Sequence, residues 1–125
     1  MTDIGKLKNN YKFYEGFEGE TEIILSILDH REFNLHIWEG YIDEIFSNAL
    51  LNQQKWIGFT RDYQEDEGAF GDMEEHNIDT KEYLEDIKSY YKFPLSKECF
   101  EICNLICEFL EFVLDNNYIA TLYVS

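Results

Sequence analysis

"ETEIILSILDH" (Glu20–His30) is the stretch on which the fold class turns. Ile23, Ile24, Ile27 and Leu28 recur at helical spacing, which predicts a short helix. The same letters suit a buried strand, because a short apolar run is too brief to separate the two periods. The helix makes the chain mainly α, and the strand would open an α+β arrangement. In the segment that follows, "FNLHIW" (33–38), Phe33, Leu35 and Ile37 alternate onto one face of a predicted strand. Residues 1–19, polar with aromatics and glycines, read as irregular or edge-like.

Downstream the period is helical. Trp38, Tyr41, Ile42, Ile45, Phe46, Ala49 and Leu50 recur in steps of three and one, with Asp43, Glu44 and Asn48 on the wet face of the predicted helix. "KWIGFT" (55–60) reads as a short strand with a bulge at Gly58. Asp79 and Glu82 have capping-box spacing. They predict a helix with Tyr83, Leu84, Ile87, Tyr90 and Tyr91 on its buried stripe, ended by Pro94. Ser96 is a good N-cap for the last helix. There the polar positions Glu101, Asn104, Glu108, Glu111 and Asp115 form one narrow stripe and the rest is apolar. That pattern places this helix at the centre of the core. Asn116 and Asn117 suit a left-handed C-cap, and "YIATLYV" (118–124) reads as a strand or a packed tail. The expected fold is one domain over residues 1–125, mainly α, with three to four amphipathic helices around a central C-terminal helix. Minor β strands, or an α+β class, are the alternative.

A chain of 125 residues, 45% hydrophobic and 17% aromatic, has the means to build one core without disulfides or metal. Its charge is the outlier: 26 acids against 10 bases give −16. Such a chain is repelled by nucleic acid and by anionic membranes, and it favours a cationic partner. The segment "RDYQEDEGAFGDMEEHNIDTK" (61–81) holds eight acids between its terminal bases and no base among them. It therefore carries half the net charge, and the remainder reads as ordinary.

No enzyme chemistry emerges. Cys99, Cys103 and Cys107 step by four along one helix, drifting about 40° per step, with no nearby His to complete a metal set; they read as core thiols. The three histidines are scattered and form no HExxH motif. Neither Gly68 nor Gly71 sets an EF-hand register, since Tyr63 would take the first ligand position and Asn77 the twelfth. Phosphate loops, dinucleotide fingerprints and nucleophile elbows are missing, and carboxylate pairs are too abundant to single one out. No enzyme activity, cofactor or metal is expected. The odd cysteine count, the opening "MTDIGKLKNN" without an apolar signal core, and the lack of a span-length apolar run predict a reduced, cytoplasmic protein.

The acidic run is then a candidate docking surface. The expected partner-binding residues are Asp62, Tyr63, Glu65, Asp66, Glu67, Phe70, Asp72, Glu74 and Glu75. The carboxylates would stand where a basic partner expects phosphates. Tyr63 and Phe70 would anchor the contact, with Trp56 or Trp38 on a neighbouring surface. The plainer alternative is a solvated loop whose aromatics tuck into the core.

The small size, the acidity, the wealth of aromatics, the lack of a catalytic motif and the segment "WEGYIDEIFSNALLNQQKWIGFTRDYQEDEGAF" (38–70) resemble bacterial toxin-immunity proteins. The likeness is to the CdiI-type immunity proteins of contact-dependent growth inhibition. It is one of type over the whole chain, and it carries over no specific binding residue. It implies a cytoplasmic protein that binds one cognate toxin domain, basic and often a nuclease, and covers its active site or substrate surface. The alternatives are an acidic nucleic-acid mimic and a regulatory adaptor for basic proteins.

Overall fold

The helix expected at Glu20–His30 is a strand. The computed structural model describes residues 4–51, 57–65 and 75–125. Its strands are β1 (Asn10–Phe13), β2 (Glu22–Ile27), β3 (Asn34–Trp38), β4 (His76–Asn77) and β5 (Ala120–Val124). Its helices are α1 (Glu39–Leu51), α2 (Gly58–Glu65), α3 (Thr80–Ser89) and α4 (Lys97–Asp115), with 3₁₀ turns at Ile4–Leu7 and Tyr90–Lys92. The strands form one mixed sheet in the order β1-β3-β2-β5-β4, parallel only between β1 and β3. The class is therefore α+β, and the mainly α expectation is corrected.

Long-range pairing decided it. β2 is bonded on both sides, to β3 from Glu22↔Trp38 to Ser26↔Asn34 and to β5 from Ile23↔Val124 to Ile27↔Ala120. A central strand buried at most of its length needs no clean alternation, so its apolar run mimics a helix stripe. Ile23, Leu25 and Ile27 point inward and are fully buried, while Ile24 and Ser26 face the other way. β-branched isoleucines also suit a pleated surface better than a helix.

α4 packs over the inner face, and nine of its residues are buried. They share one core with Ile23, Leu25, Leu35, Ile37, Ala120 and Leu122 of the sheet. Phe33, next to β3, meets Phe112 of α4 with ring centroids 4.8 Å apart. Two apolar residues of α4 escape burial, Phe100 at 48% exposure and Leu114 at 39%. The caps act as expected. Ser96 Oγ accepts from Cys99 N at 3.2 Å, and Asp79 accepts from Glu82 N at 3.0 Å. Asn117 takes the left-handed turn after α4, at φ 56°. Phe93 is extended before Pro94, so α3 and its 3₁₀ turn stop there. On the α3 stripe Tyr83, Ile87 and Tyr90 are buried, but Tyr91 is exposed.

The strand expected at 55–60 is also corrected. Lys55 and Trp56 lie outside the described residues, and Gly58 opens α2 instead. Gly58 sits at φ +52°, where a Cβ would come within 2.8 Å of the Glu82 carbonyl oxygen. Its N–H donates to Glu82 Oε1 at 2.8 Å. Glycine is needed because α2 starts against the backbone of α3. Above that contact Phe59 stacks on Tyr83 at 4.9 Å and meets Phe46 of α1 at 5.0 Å. Gly58→Ala combines a left-handed side chain with a backbone clash. It is expected to cost about 2 kcal/mol or more in urea unfolding, with the helix signal in circular dichroism retained.

Candidate partner-binding surface

The charge is not spread as the sequence reading supposed. Residues 13–54 contain nine acids and one base, Arg31. Residues 62–80 contain eight acids and no base, and everything else balances at nine of each. Two blocks of −8 therefore account for the whole −16, and only the second was recognised as a block. The signal for the first was available: from Phe13 to His30 there is no Lys or Arg, against Glu15, Glu18, Glu20, Glu22 and Asp29.

Among the described residues Lys6, Lys12, Arg31, Arg61 and Lys88 are engaged in internal ion pairs. Lys6 pairs with Glu108, Lys12 with Glu101 at 3.7 Å, and Lys88 with Glu111 at 3.6 Å. These three pairs line a cleft of about 540 Å³ beside β1 and α4, whose charge they cancel. Arg61 pairs with Asp62 at 3.4 Å and with Glu82 at 2.7 Å. Arg31 forks onto both carboxylate oxygens of Glu75.

Those last pairs fix the two ends of the acidic run. Asp62 accepts from the Tyr83 hydroxyl on α3 as well as from Arg61. Glu75 accepts from Arg31 and, at 2.8 Å, from Thr121 Oγ1 on β5. The hydrogen bond from Arg31 holds the Glu75 carboxyl below its ordinary range. Asp62 and Glu75 thus serve first as ties between the run and the fold. Tyr63 and Glu65 fall on the last turn of α2, with side chains that are not among those described. Asp66, Glu67, Phe70, Asp72 and Glu74 lie outside the described residues.

Beneath the start of the run is a buried polar triad. Asp86 of α3 is fully buried, and its Oδ2 accepts from both the N–H and the hydroxyl of Thr60, each at 2.7 Å. The Thr60 hydroxyl also bonds the Tyr90 hydroxyl. Among the described residues Asp86 Oδ1 has no hydrogen-bond partner. Burial pushes the Asp86 carboxyl up to about 6, against the lowering effect of the Thr60 bonds. Burial likewise raises Tyr83 and Tyr90.

Within the first charge block an aromatic cluster forms at one end of the sheet. Trp38, the last residue of β3, stacks on Phe17 of the β1–β2 turn at 3.9 Å and 3°. Its Nε1 donates to Glu20 Oε1 at 3.3 Å, and its ring meets Tyr41 edge-on at 5.3 Å. Gly40 leaves room for the indole, since a Cβ there would strike three of its ring atoms. Nearby, burial and then the charge of Asp43 raise the Glu39 carboxyl.

The cysteine thiols sit in the core, as expected. Burial pushes Cys99 up to about 11 and Cys103 up to about 12, the reverse of what a reactive thiolate needs. Among the described residues no group of three or more His, Cys, Asp or Glu side chains is placed to hold a metal ion. Among them, too, no helix is long and apolar enough to cross a membrane. No family model, curated protein or solved structure matches this chain.

The Asp86 site predicts a pH dependence. The folded carboxyl keeps its proton to about pH 6, whereas the unfolded one loses it near 3.8. Between those values the folded state holds the extra proton, so stability falls as pH rises and then levels off above 6. Asp86→Asn removes this slope. Relative to wild type, the variant should gain on the order of 2–3 kcal/mol between pH 4 and pH 7.5 in denaturant titrations. Equal pH profiles for the two proteins would show that Asp86 ionises normally.

Proposed function

We propose that this chain is an immunity protein, acting in the cytoplasm without enzyme activity of its own. It binds a cognate basic toxin domain, with a nuclease as the best fit, and covers its active site or substrate surface. The observation that carries this reading is the segregation of charge. Residues 13–54 and 62–80 carry −8 each, while acids and bases elsewhere are equal in number, with Lys6, Lys12, Arg61 and Lys88 in internal pairs. A field of that shape speeds the encounter with a cationic surface and discourages polyanions. The ties at Asp62 and Glu75 support it further, because a run fixed at both ends loses less freedom on binding than a free tail. The block at residues 13–54 favours one alternative, a nucleic-acid mimic, by adding to the acidic area. A regulatory adaptor for basic proteins would need the same field.

Tagged protein used as bait in lysate of the source organism, washed at low and then high salt, tests the proposal. Retention of one basic protein through the high-salt wash is expected, and its nuclease activity should fall when the bait is added. The triple reversal Glu65→Lys, Asp66→Lys, Glu67→Lys should abolish neutralisation while leaving thermal unfolding within a few degrees of wild type, about 1 kcal/mol or less. Loss of every bound protein at high salt, or many basic proteins bound alike, would sink the single-partner reading and leave the mimic.

A further inference from the structure

The helices cover one face of the sheet. The other carries a row of side chains that runs across four strands. Tyr11 of β1 stacks on His36 of β3, with ring centroids 4.0 Å apart at 20°. His36 is in register with Ile24 of β2, and Ile24 with Tyr123 of β5. Tyr11 is 47% exposed and Tyr123 38%. The row is well ordered beneath its surface, since His36 Nδ1 meets Glu22 Oε2 at 3.3 Å and His36 Nε2 meets Asn34 Oδ1 at 2.8 Å. Tyr11 and Tyr123 thus expose large rings on a sheet face that the described helices leave uncovered.

Charge names the occupant. The rung next to the row is Glu22 paired across from Trp38, and Glu20 bonds the Trp38 indole. Glu15 and Glu18 are exposed on the turn that Phe17 holds against Trp38. The turn, β2 and β3 contain no Lys or Arg, and the flanking bases Lys12 and Arg31 are matched to Glu101 and Glu75. A face of flat rings and neighbouring carboxylates fits arginine, whose planar guanidinium stacks on aromatics while forking onto a carboxylate. Phosphate-bearing surfaces are repelled by the same carboxylates.

We propose that this open sheet face, centred on Tyr11, Ile24 and Tyr123 and edged by Glu20 and Glu22, is the docking surface for an arginine-bearing protein surface. It rests on the reading of the chain as a binder of a basic partner. It adds an aromatic anchor on the sheet to the contacts proposed for the acidic run.

The test is a ¹H–¹⁵N titration of the full chain with hexa-arginine amide at low salt, with hexa-lysine and hexa-glutamate as comparisons. Saturable shifts are expected at Tyr11, Ile24, His36 and Tyr123, weaker with hexa-lysine and missing with hexa-glutamate. Glu20→Lys with Glu22→Lys should weaken binding about tenfold. Tyr123→Ala should weaken it severalfold with the rest of the amide spectrum unchanged. Shifts confined to residues 62–75 would overturn the inference and leave the function proposed above standing. No shift anywhere with hexa-arginine would overturn both. Concentration-dependent shifts on this face without peptide would mean that a second copy covers it, which overturns the inference as well.

Discussion

A helix with almost no polar circumference has to be surrounded, and α4 is that helix. Nine of its residues are buried, from Cys99 to Val113. One neighbouring helix cannot cover so much apolar surface. The sheet takes one side of α4, α3 runs along another, and α1 closes part of the rest. The layer arrangement follows from this demand. So does the placement of β5, because the chain leaves α4 through the left-handed Asn117 and enters the sheet beside β2 within a few residues.

The same demand leaves the outer sheet face free of the described helices. All the described helices are drawn toward α4, directly or through α3, so none remains to cover Tyr11, Ile24 and Tyr123. Beside α4, Lys6, Lys12 and Lys88 are each matched to an α4 glutamate. Along the sequence, the excess of acids lies in residues 13–54 and 62–80.

The contact between α2 and α3 holds the entrance to the acidic run. It combines a glycine that alone permits the close approach, a stack of Phe59 on Tyr83, and a buried carboxylate with one unpartnered oxygen. The last of these is costly, since a buried unpaired polar atom gives up its hydration without return. Thr60 and Tyr90 recover part of that cost through a connected network. The arrangement is specific in direction, because Asp86 and Glu82 both reach back to the first turn of α2.

Elements that depend on local pattern were legible in the sequence. α1 and α4 have long 3.6-residue periods, and the caps at Asp79, Ser96 and Asn117 use side-chain and backbone chemistry that acts within one turn. The alternation of Leu35 and Ile37 was equally local. The acidic run could be read from charge alone, and the first acidic block could have been read the same way, had the gaps between bases been measured along the whole chain. Tertiary structure alone decided the rest. Glu22–Ile27 is a strand because β3 and β5 bond it from both sides, and no six-residue window contains β5. Gly58 opens a helix because Glu82 and Asp86 receive its first turn. Asp62 and Glu75 are ties because Tyr83, Arg31 and Thr121 meet them, and those partners stand up to 46 positions away. Periodicity and capping act between neighbours in the chain, whereas strand pairing, close backbone approach and ion pairing act between neighbours in space.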